Sequence, residues 1–185
     1  MKELSLNILD VAENSVKARA SLTEILITEE GEKLTLVISD DGCGMDEEIV
    51  KSVVDPFYTT RTTRKVGLGI PLLKLAAEQT GGELKIESKT ENDYPENHGT
   101  QVTAVFFKNH LDFTPLGDVV SSITTLIQGH PDTDFYFCHK NGDKKAELDT
   151  RQLREVLGGD VALNTYEVIK WTEEYLHEQY QGFNL

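Results

Sequence analysis

Basic residues are scarce in this chain: 18 Lys and Arg stand against 32 Asp and Glu, giving a formal charge of −14. That balance excludes broad binding to a nucleic-acid backbone, which needs clustered cations. Any phosphate bound here must be met locally, by backbone N–H groups, a few basic side chains or a metal. Long hydrophobic runs are missing as well. No stretch of 18 apolar residues occurs, so nothing reads as a membrane span. The opening "MKELSLNILDVAENS" has acids every few residues and no small-residue cleavage site, so it does not read as a signal peptide. Cysteine is nearly absent. Cys43 and Cys138 lie far apart and match no metal-ligand or redox spacing, and a reducing, cytoplasmic setting is expected. No internal repeat or low-complexity tract appears. At 185 residues, the expectation is one domain, or one domain with a small appendage.

What is present divides near residue 110. The pattern predicts a helix over 3–20, with Leu4, Ile8, Val11, Ser15 and Ala18 on one stripe. "LTEILITEE" and "KLTLVISD" read as a strand pair around the turn "EGE". A helix over 46–54 opens on Asp46, Glu47 and Glu48, which place negative charge on its positive end. "DPFYTTRTTRK" reads as a loop. "GLGIPLLKLAAEQTGG" reads as a helix entered and left through glycines, and "ELKIES" and "TQVTAVFF" as two more strands. Beyond the boundary "KNHLDFTPLGD" come a helix from Val119 to Gln128, a strand "DFYFCHK" and an Asn-Gly turn. Helical patterns follow in "TRQLREVL" and "TYEVIKWTEEYLHEQY". The expected division is 1–109 and a C-terminal α+β extension, 110–185, without a recognisable motif. Trp171, Tyr175 and Tyr180 there are expected to be packing residues, and the five histidines to be surface or loop residues.

The residues that carry chemistry lie in the first part. Asp10 and Asn14 are four apart on one helix face, with Lys17 one turn further. The Asn14 carbonyl oxygen suits a hard cation such as Mg²⁺, and Asp10 could orient or deprotonate a water. "VISDDGCGM" ends an apolar strand on a carboxylate and two glycines. Asp40 has only acceptors when ionised and so suits the exocyclic amine of adenine. Gly42 and Gly44 would let backbone approach a flat ring, with Met45 as an apolar contact. In the loop that follows, Arg61, Arg64 and Lys65 are conspicuous cations in an acidic chain, suited to a lid over phosphates. Gly67 and Gly69 lead into a helix whose N-terminal N–H groups face an anion.

The ordered set resembles the ATPase superfamily of gyrase B, heat-shock chaperone, histidine kinase and mismatch-repair ATPases. "LDVAENSVKA" resembles its N box, "DDGCGM" its first glycine box, and "PFYTTR" the phenylalanine box of histidine kinases. "GLGIPLLK" with the following helix and strand is similar to its second glycine box, and "GT" precedes the last strand. The resemblance covers residues 3–107. It implies a two-layer α/β sandwich of the histidine kinase-like (Bergerat) type, of left-handed βαβ connection, with ATP held between sheet, helices and lid. It implies that Asn14 ligates Mg²⁺ and that Asp40 binds adenine. Nucleotide contacts are implied for Lys17, Gly42, Gly44, Met45, Phe57, Thr60, Arg61, Lys65, Gly67, Leu68, Gly69 and Thr100.

Two departures qualify the catalytic expectation. The hydrolysing members usually carry Glu four residues before the Asn, where this chain has Asp10, one methylene shorter. The second glycine box usually opens with a further Gly, where this chain has Lys65. The chain also begins at the N box, without a phospho-accepting helical hairpin, and none of its histidines sits in a phosphoacceptor pattern. The expected function is therefore ATP and Mg²⁺ binding coupled to a separate protein partner, as a regulatory phosphotransferase or a partner-gated ATPase. An anti-sigma-type serine kinase and a catalytically weak ATP-sensing module are the alternatives. The partner set is ATP and a protein partner or phospho-acceptor, with a homodimer allowed, and with no nucleic acid and no membrane.

Overall fold

The computed structural model describes residues 3–55 and 68–183. Strands β1 (Leu22–Glu30) and β2 (Lys33–Asp40) form an antiparallel hairpin in register from Glu30 and Lys33 to Thr23 and Asp40. β3 (Glu83–Lys89) and β4 (Gly99–Phe107) extend it antiparallel on the β2 side. On the other side, β5 (Asp134–Asn141) runs parallel to β1, and β6 (Lys144–Asp149) closes the edge antiparallel to β5. The result is one six-stranded sheet of order β3-β4-β2-β1-β5-β6.

Alternation decides which face is covered. Ile25 and Ile27 of β1, Leu34, Leu36 and Ile38 of β2, and Phe135 and Phe137 of β5 are nearly inaccessible. They pack under a layer built from α1 (Leu4–Lys17), α3 (Gly69–Gln79), α4 (Val119–Gly129) and α6 (Tyr166–Tyr180). The apolar stripe of α1 lies where its spacing puts it: Leu4, Ile8, Val11 and Ser15 are all buried. That helix ends at Lys17, and the chain turns through Arg19 in the left-handed region. The short α2 (Glu47–Val53) is capped by Asp46, whose carboxylate accepts from the Ile49 N–H at 2.8 Å. The fold is the α/β sandwich that the resemblance implies.

Residues 119–183 continue this sheet and share its core, since Ile123, Phe137 and Leu176 cluster with Leu4 and Ile25. Sequence reading passes from the Asn-Gly turn directly to a helix, yet β6 intervenes before α5 (Thr150–Leu157). In "KKAELD" only Ala146 and Leu148 point inward, too short an alternation to signal a strand. The aromatic expectation is corrected in part: Tyr180 packs against the core, but Trp171 and Tyr175 are 48% and 38% exposed. The histidine expectation is corrected for His139 on β5, which is fully buried, while His98 and His130 are loop residues that each hold a partner.

Candidate functional site

A cavity of about 360 Å³ lies between α1 and the inner face of β2 and β4. It brings together Asn14 and Lys17 from α1, Asp40 from the end of β2, Gly44 and Met45 from the next loop, and Thr100 from β4. Ile38, Val102 and Ile70 supply apolar walls. A few convergent polar groups in a mainly apolar recess are the usual make-up of a small-molecule site, and the volume is within its usual range.

Asp40 is the most constrained of these side chains. Its Oδ2 accepts from Ser15 Oγ at 2.7 Å. Its Oδ1 accepts from the Gly42 N–H at 2.9 Å and the Thr100 N–H at 3.3 Å. All three donors are uncharged. A carboxylate offers about four lone-pair sites, so one on Oδ2 is left for a ligand donor. Neighbouring Asp41 has a different task. Burial raises its carboxyl, but hydrogen bonds from the Leu22 and Ser21 N–H groups and the Ser21 hydroxyl outweigh that and hold it below the usual range. Asp41 thus fastens the start of β1, while Asp40 faces the cavity.

The glycines serve the protein's own packing. A Cβ on Gly42 would meet Ala18, and one on Gly44 would lie 1.9 Å from the Lys89 carbonyl oxygen. Gly44 also has φ +68°, where other residues are strained. At both positions a Cβ would collide with this chain's own atoms, so the loop needs glycine there for its own packing. The loop is further tied by the Met45 N–H to Ser88 Oγ at 2.8 Å, and by His98 Nδ1 donating to the Gly42 carbonyl at 2.6 Å.

Asp10 is exposed and stands outside the cavity wall, where α3 crosses α1. A Cβ on Gly69 would come within 2.8 Å of the Asp10 Cβ, so this glycine permits the helix crossing. Leu68, just before α3, is 59% exposed and does not line the cavity either. Glu13, adjacent to Asn14, points elsewhere: its Oε1 is 2.8 Å from His130 Nε2 at the end of α4. Phe57, Thr60, Arg61, Lys65 and Gly67 lie outside the described residues.

Sequence reasoning misses Ser15, Ser88 and His98. Ser15 carries a usable signal, a hydroxyl on the buried stripe of α1, which needs a partner once buried. Its pairing with Asp40 depends on how the helix seats on the sheet, which no local pattern reports.

Comparisons with known proteins identify the family behind this fold. The model of histidine kinase-, DNA gyrase B- and HSP90-like ATPases matches residues 2–110. Sensor histidine kinase CitA of Klebsiella pneumoniae is 29% identical over 85 residues, covering 44% of this chain and 16% of that protein. Sporulation kinase C of Bacillus subtilis is 30% identical over 91 residues, covering 48% of this chain and 20% of that kinase. The chain thus spans a fifth or less of the length of these relatives. Among solved structures, the MutL ATPase domain of Aquifex aeolicus, complexed with ADP, aligns with a TM-score of 0.55 at 16% identity. The alignment covers 85% of this chain and 70% of that one. The N-terminal domain of a DNA repair protein aligns at 0.57 with 18% identity, over 80% of this chain and 53% of the other. At such identities both establish the fold. With the family model covering well over half its length, this chain belongs to the histidine kinase-, DNA gyrase B- and HSP90-like ATPase family and carries that family's ATP-binding domain.

Proposed function

We propose that this protein binds ATP with Mg²⁺ in the α1–β2–β4 cavity and uses it to act on, or be gated by, a protein partner. The observation that carries this reading is Asp40. A carboxylate held by three neutral donors, with no ion pair among the described residues and one lone pair toward a cavity, is fit to accept a hydrogen bond from an amine. Adenine presents such an amine, and the Ile38 and Val102 walls suit its faces. Asn14, on the same wall, would give Mg²⁺ one oxygen, the remaining sites going to waters and phosphates. Lys17 brings a positive charge to the same cavity. ATP supplies the γ-phosphoryl group, and what these side chains contribute is positioning and charge compensation.

A second reading, an ATP-sensing module with little catalysis, is favoured by Asp10 standing outside the cavity wall. Incubation with γ-labelled ATP separates the two: free phosphate or label on a partner supports catalysis, and retained ATP supports sensing. The binding reading is tested by titrating ATP with and without Mg²⁺ against the parent and Asn14→Ala. The variant should lose affinity mainly in the presence of metal. Equal loss in both conditions would make Asn14 a structural residue, and no ATP binding by the folded parent would overturn the proposal.

A further inference from the structure

A second concavity, about 510 Å³, lies far along the sheet from Asp40, at the β6 edge between α5 and α6. Trp171 and Tyr175 of α6 stack along one wall with ring centroids 4.9 Å apart and planes 12° from parallel. Val156 of α5 faces them, 84% exposed. Large apolar groups left open in this way mark contact surfaces, and Trp and Tyr are favoured as anchors at interface centres. We propose that this groove docks a helix from a partner protein, apolar on one face and flanked by Lys or Arg.

Three observations choose that occupant. The first concerns strand addition. Although β6 is an edge strand, the Gln179 side chain accepts from the Glu147 N–H at 2.9 Å and donates to its carbonyl at 3.1 Å. The edge is thereby closed to an incoming strand beside the groove. The second is charge. Glu147, Asp149 and Glu167 line the groove, and among the described residues no Lys or Arg does. Lys145 and Arg151 hold the first two, while Glu167 forms no ion pair among the described residues. A second copy of this chain would bring the same unpaired Glu167 and the same charge of −14, and would be repelled. A basic partner is attracted. The third is length. From Val168 to Tyr175 the α6 wall spans about two turns, roughly 10 Å, which matches helix anchors at i, i+3 or i+4, and i+7.

Trp171 is the sole tryptophan, so its emission reports on this groove alone. The probe is a synthetic Leu/Lys helical peptide with leucines spaced three and four apart, titrated into the full chain. Its binding should shift Trp171 emission to the blue and saturate. A scrambled peptide of the same composition, and a Leu/Glu peptide of the same spacing, should each bind at least about tenfold more weakly. The variant Val156→Ser/Tyr175→Ser should also lose about tenfold while keeping its melting temperature, since both residues are exposed. Equal binding of the scrambled peptide would mean charge attraction without a groove and would overturn the proposal. So would parent-like binding by the double variant. A concentration-dependent dimer in sedimentation, abolished by that variant, would assign the groove to a second copy instead.

Discussion

Asp40 and Glu29 are both inward-facing carboxylates, at opposite ends of the same β-hairpin, yet they are treated oppositely. Among the described residues Asp40 meets only neutral donors, and it looks into a cavity. Glu29 is enclosed by cationic and hydrogen-bonding partners. Its Oε2 is 2.5 Å from Lys108 Nζ, and its Oε1 is 2.8 Å from His139 Nε2. His139 Nδ1 in turn accepts from the Tyr180 hydroxyl at 2.9 Å. That chain joins β1, the end of β4, β5 and α6, fastening the C-terminal segment to the rest. Burial alone would raise the Glu29 carboxyl, but Lys108 and His139 outweigh it and hold it below the usual range. Burial pushes the His139 imidazole down and the Tyr180 hydroxyl up, so the ring is neutral and the hydroxyl stays a donor. The difference separates two uses of a charge. One saturated by internal partners holds the fold, and one left with a free lone pair is available to a ligand.

The sharpest way to break the comparison is to remove each carboxylate in turn. Glu29→Leu leaves the His139 N–H buried without an acceptor and takes the counter-charge from Lys108. It should cost about 3 kcal/mol of stability, read as a lower urea midpoint. ATP affinity of the folded fraction should stay at the parent value. A stable Glu29→Leu variant would remove the structural half of the contrast. Asp40→Asn should show the reverse pattern. It keeps an oxygen for the Gly42 and Thr100 N–H groups, so the urea midpoint should barely move. Losing a charged hydrogen bond to the nucleotide should weaken ATP binding by about 1.5–3 kcal/mol, or roughly ten- to a hundredfold. Unchanged affinity in calorimetry would remove Asp40 from the site.

Acid gives a milder probe of the same pair. His139 is held below its ordinary 6.5, so the unfolded chain takes up a proton that the native one refuses. Stability from this residue is therefore intact above about pH 6.5 and falls below it, by up to about 1.4 kcal/mol per pH unit. Glu29 adds a second decline below its ordinary 4.5, shared with Asp41, Glu147 and Asp149, whose carboxyls are also lowered. Only the upper decline is specific to the His139 chain. Urea midpoints measured from pH 8 to pH 5 should show it in the parent and lose it in His139→Gln.

The two ends of the sheet also differ in how far the sequence discloses them. The Asp40 end is written locally. An apolar run stopping at Asp-Asp-Gly, and the polar face carrying Asn14 and Lys17, can be read without knowing any contact. So can the buried stripe of α1, which explains why the first four strands and the helices between them follow their patterns. The Glu29 end is written in distant residues. Glu29 and His139 are 110 positions apart and meet only because β5 lies parallel beside β1, a crossover that no local pattern announces. His139 alternates with Phe135 and Phe137 on the inner face, so burial was legible in principle, but its acceptor was not. Strand β6 and the open Trp171–Tyr175 wall were illegible for the same reason. Their environments are set by which neighbour arrives, and α5 leaves that wall open.

A third carboxylate, Asp10, extends the contrast to the case with neither partner nor cavity. It forms no hydrogen bond among the described residues and sits exposed at the crossing of α1 and α3. If it activates water, it must do so across a gap, because it stands outside the wall that Asn14 and Lys17 share. Positioning dominates phosphoryl transfer, so intrinsic hydrolysis should run well below a typical turnover of about 10 per second. Asp10→Asn should remove what hydrolysis there is while ATP still binds, since no wall of the cavity changes. Asp10→Glu adds one methylene at an exposed position, where the added length meets no packing barrier. It should raise turnover by a few-fold, on the order of 1 kcal/mol or less, with ATP affinity and urea midpoint unmoved. Steady-state phosphate release decides the matter. Equal rates for the parent, Asp10→Asn and Asp10→Glu would make Asp10 a bystander. Glu13 could not easily take its place, since His130 already holds that carboxylate on another side of α1. The activating group would then have to come from the partner.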